Sequence, residues 1–282
     1  MTVETVDLYK YFNISKPDGG VGLLTSYIHY QSPEYCTGRT RPAMLVLPGG
    51  GYGFVSDREN EPIAVKYLAE GFNAFALKYS IAPIGFPAQL LEAAMAMVYI
   101  RENAEKFNVI PDKVAAVGFS AGGHLLGTLC TMYNAEEVVS VLGEKAKLVK
   151  PDAAVFSYAV ITSSEKTHAG SIDNLCGNDA ELRKRVSIEN NINGDTPPAF
   201  IWATVNDNAV PSENSLLLAN AYKKAGVPFE LHLFGEGVHG LSLASRETAF
   251  SGGEGYMIND EVKPWMELSI KWLKKLGFEI KY

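Results

Sequence analysis

Cysteine is scarce in this chain. Its three copies, Cys36, Cys130 and Cys176, are odd in number and nowhere spaced C-x-x-C, which argues against a disulfide framework or a thiolate zinc centre and fits a reducing compartment. Long apolar runs are missing too: no stretch approaches the roughly 18 residues that a membrane-crossing helix needs. The N-terminus is acidic, with no basic segment leading into an apolar one. No secretory signal is read there, and a cytoplasmic location is expected. Basic runs are absent, and 25 Lys and Arg stand against 32 Asp and Glu, for a formal net charge of −7. Nucleic acid and membrane surfaces are therefore not expected as partners. Internal repeats are lacking as well. What remains is an ordinary folded composition, 47% hydrophobic and 20% charged over 282 residues, enough for one domain spanning 1–282 with a core that needs no staples.

The apolar pattern alternates between two periods. Two antiparallel strands are expected near Val6–Asn13 and Val21–Tyr30, joined by a turn at Pro17-Asp18-Gly19-Gly20. From residue 43 onward, short apolar runs read as buried strands: Ala43–Leu47, Phe72–Tyr79, Val114–Val117, Ala153–Tyr158, Ala199–Val205 and Phe229–Phe234. Between them, helical spacing marks Glu61–Glu70, Pro87–Asn108, Gly123–Thr131, Glu213–Ala225 and Val262–Leu276. In the last of these, Trp265, Leu268, Trp272 and Leu276 share one face and are read as packing on the sheet. The alternation implies an α/β fold, a mostly parallel central sheet with helices on both faces. Residues 162–197 break the rhythm with polar turns and are read as a small cap insertion over the sheet edge, an ordinary long connection being the alternative.

The chemistry centres on Lys113–Leu126. The run Val114-Ala115-Ala116-Val117 turns through Gly118-Phe119-Ser120-Ala121-Gly122 directly into a helical pattern. This is the G-x-S-x-G nucleophile elbow, in which a sharp strand-to-helix turn lifts the hydroxyl out while glycines allow close chain approach. A serine hydroxyl needs a base to activate it, and the base needs an orienting carboxyl. His239 stands in a glycine-rich loop after the last strand, and Asp207 directly follows the strand Ala199–Val205, giving the chain order Ser, Asp, His expected after such an elbow. Of the other histidines, His124 is read as supporting the elbow turn and His232 as packed or exposed within its strand. His29 precedes the sheet core. His168 is read as an exposed loop residue of the insertion, with substrate contact as the alternative. Pro48-Gly49-Gly50-Gly51-Tyr52 follows a strand, so the amides of Gly50 and Gly51, together with that of Ala121, are the expected oxyanion donors.

Taken together, Leu47-Pro48-Gly49-Gly50-Gly51-Tyr52, Gly118-Phe119-Ser120-Ala121-Gly122-Gly123-His124-Leu125, Asp207 with Val210-Pro211, and His239-Gly240-Leu241 resemble the α/β-hydrolase esterases. Within these they are most similar to the acetyl-xylan-esterase-like and hormone-sensitive-lipase-like branch. The resemblance covers roughly residues 40–280, with one departure: Pro48 stands where many members carry His before the glycines. It implies hydrolysis of small acyl esters, acetylated carbohydrate among them, without metal or organic cofactor. The alternatives are a peptidase or amidase using the same triad and a non-catalytic binding protein on the same scaffold. Homo-oligomerisation stays open.

Overall fold

Eight strands form one sheet: β1 (Thr2–Asp7), β2 (Leu23–Ile28), β3 (Arg41–Leu47), β4 (Asn73–Lys78), β5 (Val109–Phe119), β6 (Ala153–Ser157), β7 (Ala199–Thr204) and β8 (Phe229–Phe234). They are seen in a computed structural model that describes residues 1–35 and 37–282. Cys36 therefore lies outside the described residues, while Cys130 and Cys176 are free and buried. The spatial order is β1-β2-β4-β3-β5-β6-β7-β8. β1 and β2 run antiparallel to their neighbours, and every pair from β4 onward in that order is parallel.

The pleat explains the unbroken apolar runs. Ala43, Leu45 and Leu47 of β3 join Val114 and Ala116 of β5 in the core on one face, while Met44, Val46, Ala115 and Val117 enter the core on the other. Both sides of each central strand are dry, so no polar alternation is needed. The helices in chain order are α1 (Leu8–Phe12), α2 (Glu61–Ala69), α3 (Ala88–Glu102), α4 (Ala104–Phe107), α5 (Ala121–Thr131), α6 (Glu136–Leu142), α7 (Ala169–Cys176), α8 (Ala180–Arg185), α9 (Glu213–Ala225), α10 (Glu254–Met257) and α11 (Trp265–Lys275). α3, α5 and α9 cover the first face; α2 and α11 cover the second. In the second layer Trp265 stacks on Trp202 of β7, ring centroids 4.8 Å apart. Both tryptophans of α11, Trp265 and Trp272, are thus core residues. Among the described residues no helix is long and apolar enough to cross a membrane.

The structure departs from the sequence pattern in its short helices. The strand expected over Val6–Asn13 ends at Asp7, whose carboxyl accepts the Lys10 N–H at 3.2 Å and caps α1. Asn13, in the left-handed region with φ 54°, closes that helix. The long helix expected over Pro87–Asn108 breaks at Asn103 and resumes as α4. α6, α7, α8 and α10 stand in stretches where no helix is expected. These are all short helices, for which intrinsic pattern is weak and tertiary packing decides.

Candidate active site

β5 runs straight into α5 at Ser120, whose backbone is held at φ 51° and ψ −119°. A non-glycine residue in that region is strained and persists only where its surroundings over-determine it. Here they do: the Ser120 N–H donates to the Ser157 carbonyl at 3.0 Å, and the Ser120 carbonyl accepts from Val160 at 3.0 Å and His124 at 3.1 Å. The flanking glycines answer to crowding. A Cβ on Gly122 would collide with the Leu47 and Pro48 carbonyl oxygens, and one on Gly118 with the Gly122 carbonyl.

The structure brings the three residues singled out for chemistry into one line. Ser120 Oγ lies 2.8 Å from His239 Nε2, and His239 Nδ1 lies 2.7 Å from Asp207 Oδ2. Asp207 is almost inaccessible, its side chain 1% exposed, whereas that of His239 is 20% exposed. The other carboxyl oxygen of Asp207 accepts the Ala209 and Val210 amides at 2.9 and 2.8 Å. A carboxylate facing Nδ1 can only accept, so Nδ1 carries the proton and Nε2 presents its lone pair to the serine. The neighbouring asparagines hold the histidine loop from the same side: Asn206 Oδ1 accepts the Gly237 amide at 2.7 Å and Asn208 Oδ1 the His239 amide at 3.2 Å. The Asn-Asp-Asn cluster is a clamp on the loop that carries the imidazole.

Facing the serine, the loop 48–52 is pinned at successive positions. Tyr79 Oη donates to the Pro48 carbonyl at 2.5 Å, the Gly49 amide donates to Glu59 Oε2 at 2.8 Å, and Asn174 Nδ2 donates to the Gly51 carbonyl at 2.8 Å. Tyr52 Oη meets His124 Nδ1 at 2.9 Å. Among the described residues, the amides of Gly50 and Gly51 donate to no backbone carbonyl in any turn or loop. The Ala121 amide opens α5, where first-turn N–H groups have no partner in the helix. Gly50 and Gly51 line the groove together with Ser120, and Ala121 follows Ser120 in the chain.

Two parts of the groove's surroundings differ from the reading of the sequence. One is the turn Asp57–Glu59: Arg58 donates to the Thr248 carbonyl at 2.6 Å and to the Gly240 carbonyl, tethering the loop after His239. Next to it, Glu59 is buried and accepts Tyr158 Oη–H at 2.7 Å, while Tyr158 packs edge-on against His239 with ring centroids 5.1 Å apart. The other is His168. It is half-buried and lines the groove with Ser120 and His239 instead of standing out as an exposed loop residue. His232 stacks on Phe200 and bonds Glu230, and His29 bonds the Leu68 carbonyl, so neither reaches the site.

The groove measures about 480 Å³ and is walled by glycines with Phe54, Ser56, Arg58, Glu59, His168 and Asn174. A larger cavity of about 750 Å³, around Tyr27, Glu61 and Lys66, touches none of the three residues in line. Among the described residues no cluster of three or more His, Cys, Asp and Glu side chains is arranged to hold a metal ion.

His124 is the most deeply buried imidazole here. Its Nε2 lies 2.9 Å from the Val186 carbonyl, tying the elbow helix to the insertion. Burial pulls its pKa down to about 4 from the ordinary 6.5. Below pH 6.5 an unfolded chain takes up a proton that the folded chain refuses, so stability present above 6.5 is lost as the pH falls toward 4. This one group is expected to contribute a loss of about 3 kcal/mol across that window. Urea unfolding over a pH series should therefore show a shallower acid slope for His124→Gln than for the parent chain; equal slopes would refute the assignment.

The sheet order, the strained serine turn and the loops that meet over it define an α/β-hydrolase. The chain matches the BD-FAE family over residues 31–222. It belongs to that family. Endo-1,4-beta-xylanase B of Butyrivibrio fibrisolvens is 36% identical over 257 residues, covering 86% of this chain and 38% of that protein. The acetylxylan esterase of Xylanibacter ruminicola is 27% identical over 244 residues, covering 84% of this chain and 47% of that protein. This chain thus spans less than half the length of these two curated relatives. Among solved structures, an acetyl ester-xyloside bifunctional hydrolase from Caldicellulosiruptor lactoaceticus is 35% identical with a TM-score of 0.82, covering 98% of this chain and 97% of that one. A carboxylesterase from Lactobacillus plantarum is 27% identical with a TM-score of 0.83, covering 99% of each chain.

Proposed function

We propose that this chain is a serine carboxylesterase acting on short-chain acyl esters, with acetylated sugars or xylan fragments as its substrates. The unbroken line of hydrogen bonds from Ser120 through His239 to Asp207 carries the proposal. Ser120 Oγ attacks the ester carbonyl as His239 Nε2 takes its proton. Asp207 stabilises the resulting imidazolium, and the amides of Gly50, Gly51 and Ala121 meet the oxyanion. His239 returns the proton to the departing alcohol, and a water activated by the same imidazole then cleaves the acyl-enzyme. Residues 162–197 act as a cap that supplies one wall of the groove. The short-acyl preference rests on the shape of that wall: among the described residues no aliphatic side chain lines the groove, which offers glycines, Phe54 and polar groups and no aliphatic channel for a long acyl chain. The names of the relatives, esterases among them, point the same way.

A fluorophosphonate probe should label the parent chain at Ser120, and kcat/KM on p-nitrophenyl esters should show no gain from acetate to octanoate, since added methylenes meet no matched aliphatic pocket in this groove. Labelling elsewhere would overturn the serine assignment. A rate rising with chain length would overturn the short-acyl assignment.

A further inference from the structure

We infer that His168 selects the alcohol part of the substrate, donating a hydrogen bond from its groove-facing ring nitrogen to a free hydroxyl beside the scissile ester of an acetylated sugar. The inference deepens the esterase proposal and rests on it. His168 caps α7, and its Nδ1 accepts the Ser171 N–H at 3.3 Å and lies 2.8 Å from Ser171 Oγ. A backbone N–H can only donate, so Nδ1 holds the lone pair and a neutral ring keeps its proton on Nε2. Burial and the neighbouring His239 lower the pKa of the ring, which favours that neutral form.

No protein group takes the Nε2–H among the described residues, although the ring lines the same groove as Ser120 and His239. Its Cε1 would lie 3.8 Å from a Cβ placed on Gly51, so the ring edge stands against the loop expected to hold the oxyanion. Other donors of the groove are partly turned away from it: Asn174 Nδ2 donates to Gly51, and Arg58 donates through Nε and Nη2 to Thr248 and Gly240. Phe54, 61% exposed, adds the one apolar side chain of the wall among the described residues, a flat surface for a sugar ring. A donor with its tautomer fixed by a helix cap, one aromatic face and no aliphatic wall together fit a polyol and not a lipid alcohol.

His168→Asn tests this, because asparagine is among the best N-caps and keeps α7 closed while removing the ring N–H. The substrates are p-nitrophenyl acetate, a monoacetylated methyl xyloside with a free hydroxyl beside the ester, and the same xyloside with that hydroxyl methylated. The parent chain should prefer the free hydroxyl over the methyl ether by roughly tenfold in kcat/KM, the worth of one good hydrogen bond. The variant should lose that preference, its kcat/KM falling about tenfold further on the free-hydroxyl xyloside than on the methyl ether or on p-nitrophenyl acetate, the signature of a coupling between two specific groups. An equal fall on all three substrates would make His168 a structural residue and overturn the inference. So would an undiminished preference in the variant, or a parent chain that cleaves p-nitrophenyl acetate and shows no preference between the xylosides. A parent chain inert toward every ester would sink the esterase proposal itself.

Discussion

Ser120→Ala is expected to reduce kcat on p-nitrophenyl acetate by about a millionfold, the order seen when the nucleophile of a serine triad is removed. The size follows from the geometry. His239 Nε2 has its lone pair aimed at Ser120 Oγ from 2.8 Å, and without that oxygen the imidazole activates nothing bound to the protein. Residual catalysis then rests on donors that stabilise an oxyanion formed by water attack, worth a thousandfold or so over solution. The fold should survive intact. Ser120 is buried, its backbone bonds run through N–H and carbonyl, and alanine keeps both. The melting temperature is expected to stay within a few degrees of the parent value. Retention of more than about a hundredth of the parent kcat, measured on a variant that fluorophosphonate no longer labels, would refute Ser120 as nucleophile.

Where the backbone is strained tells the same story from another direction. Among the described residues, Asn13 and Asn108 have positive φ as helix C-caps. The remaining non-glycine cases are Tyr52, Ser120, Tyr158, Ser242 and Ala244. Tyr52 closes the glycine loop, Tyr158 packs on His239, and Ser242 donates its amide to Tyr158 Oη at 2.9 Å. Strain of this kind costs of order 1–3 kcal/mol per residue and gathers where a site must be held in one geometry.

What the amino-acid sequence disclosed and what it hid divide along sequence distance. Ser120, Asp207 and His239 each stand in a turn rich in glycine or asparagine just after a strand, so each is visible as a local motif. The central strands are visible for the same reason, a short apolar run being enough to mark them. Arg58 and Glu59 act across the fold instead. Arg58 reaches a carbonyl 182 positions onward, and Glu59 a hydroxyl 99 positions onward. Nothing in the local sequence Ser-Asp-Arg-Glu distinguishes such residues from a solvated turn. For His168 the sequence allows substrate contact only as the alternative, because the ring stands against Gly51, far back in the chain. α1 was misjudged because the Asp7 cap and the burial of Leu8 and Tyr9 outweighed an alternating pattern.

Glu59→Gln is expected to lower kcat by roughly a hundredfold while leaving KM within about threefold, by disturbing the oxyanion loop and not the binding of substrate. The carboxyl of Glu59 accepts from two donors at once, the Gly49 amide on Oε2 and Tyr158 Oη–H on Oε1. Glutamine has a single acceptor oxygen, so its NH₂ must face either an amide N–H or the tyrosine hydroxyl. The hydroxyl can turn only toward the side already filled by the Ser242 amide. In either orientation one buried donor is left opposed, a penalty of about 1–3 kcal/mol. The loop is tightly set around this contact: a Cβ on Gly49 would sit 2.7 Å from Glu59 Oε2 and 3.0 Å from Ser120 Cβ. A shift at Gly49 therefore reaches Gly50 and Gly51, the donors proposed for the oxyanion. A ground-state ester bound by the groove walls feels it little. A structural role alone would lower the melting temperature and leave kcat of the folded fraction untouched. Steady-state kinetics on active-site-titrated enzyme separate the two, and a per-site kcat within twofold of the parent would remove Glu59 from any part in positioning the oxyanion donors.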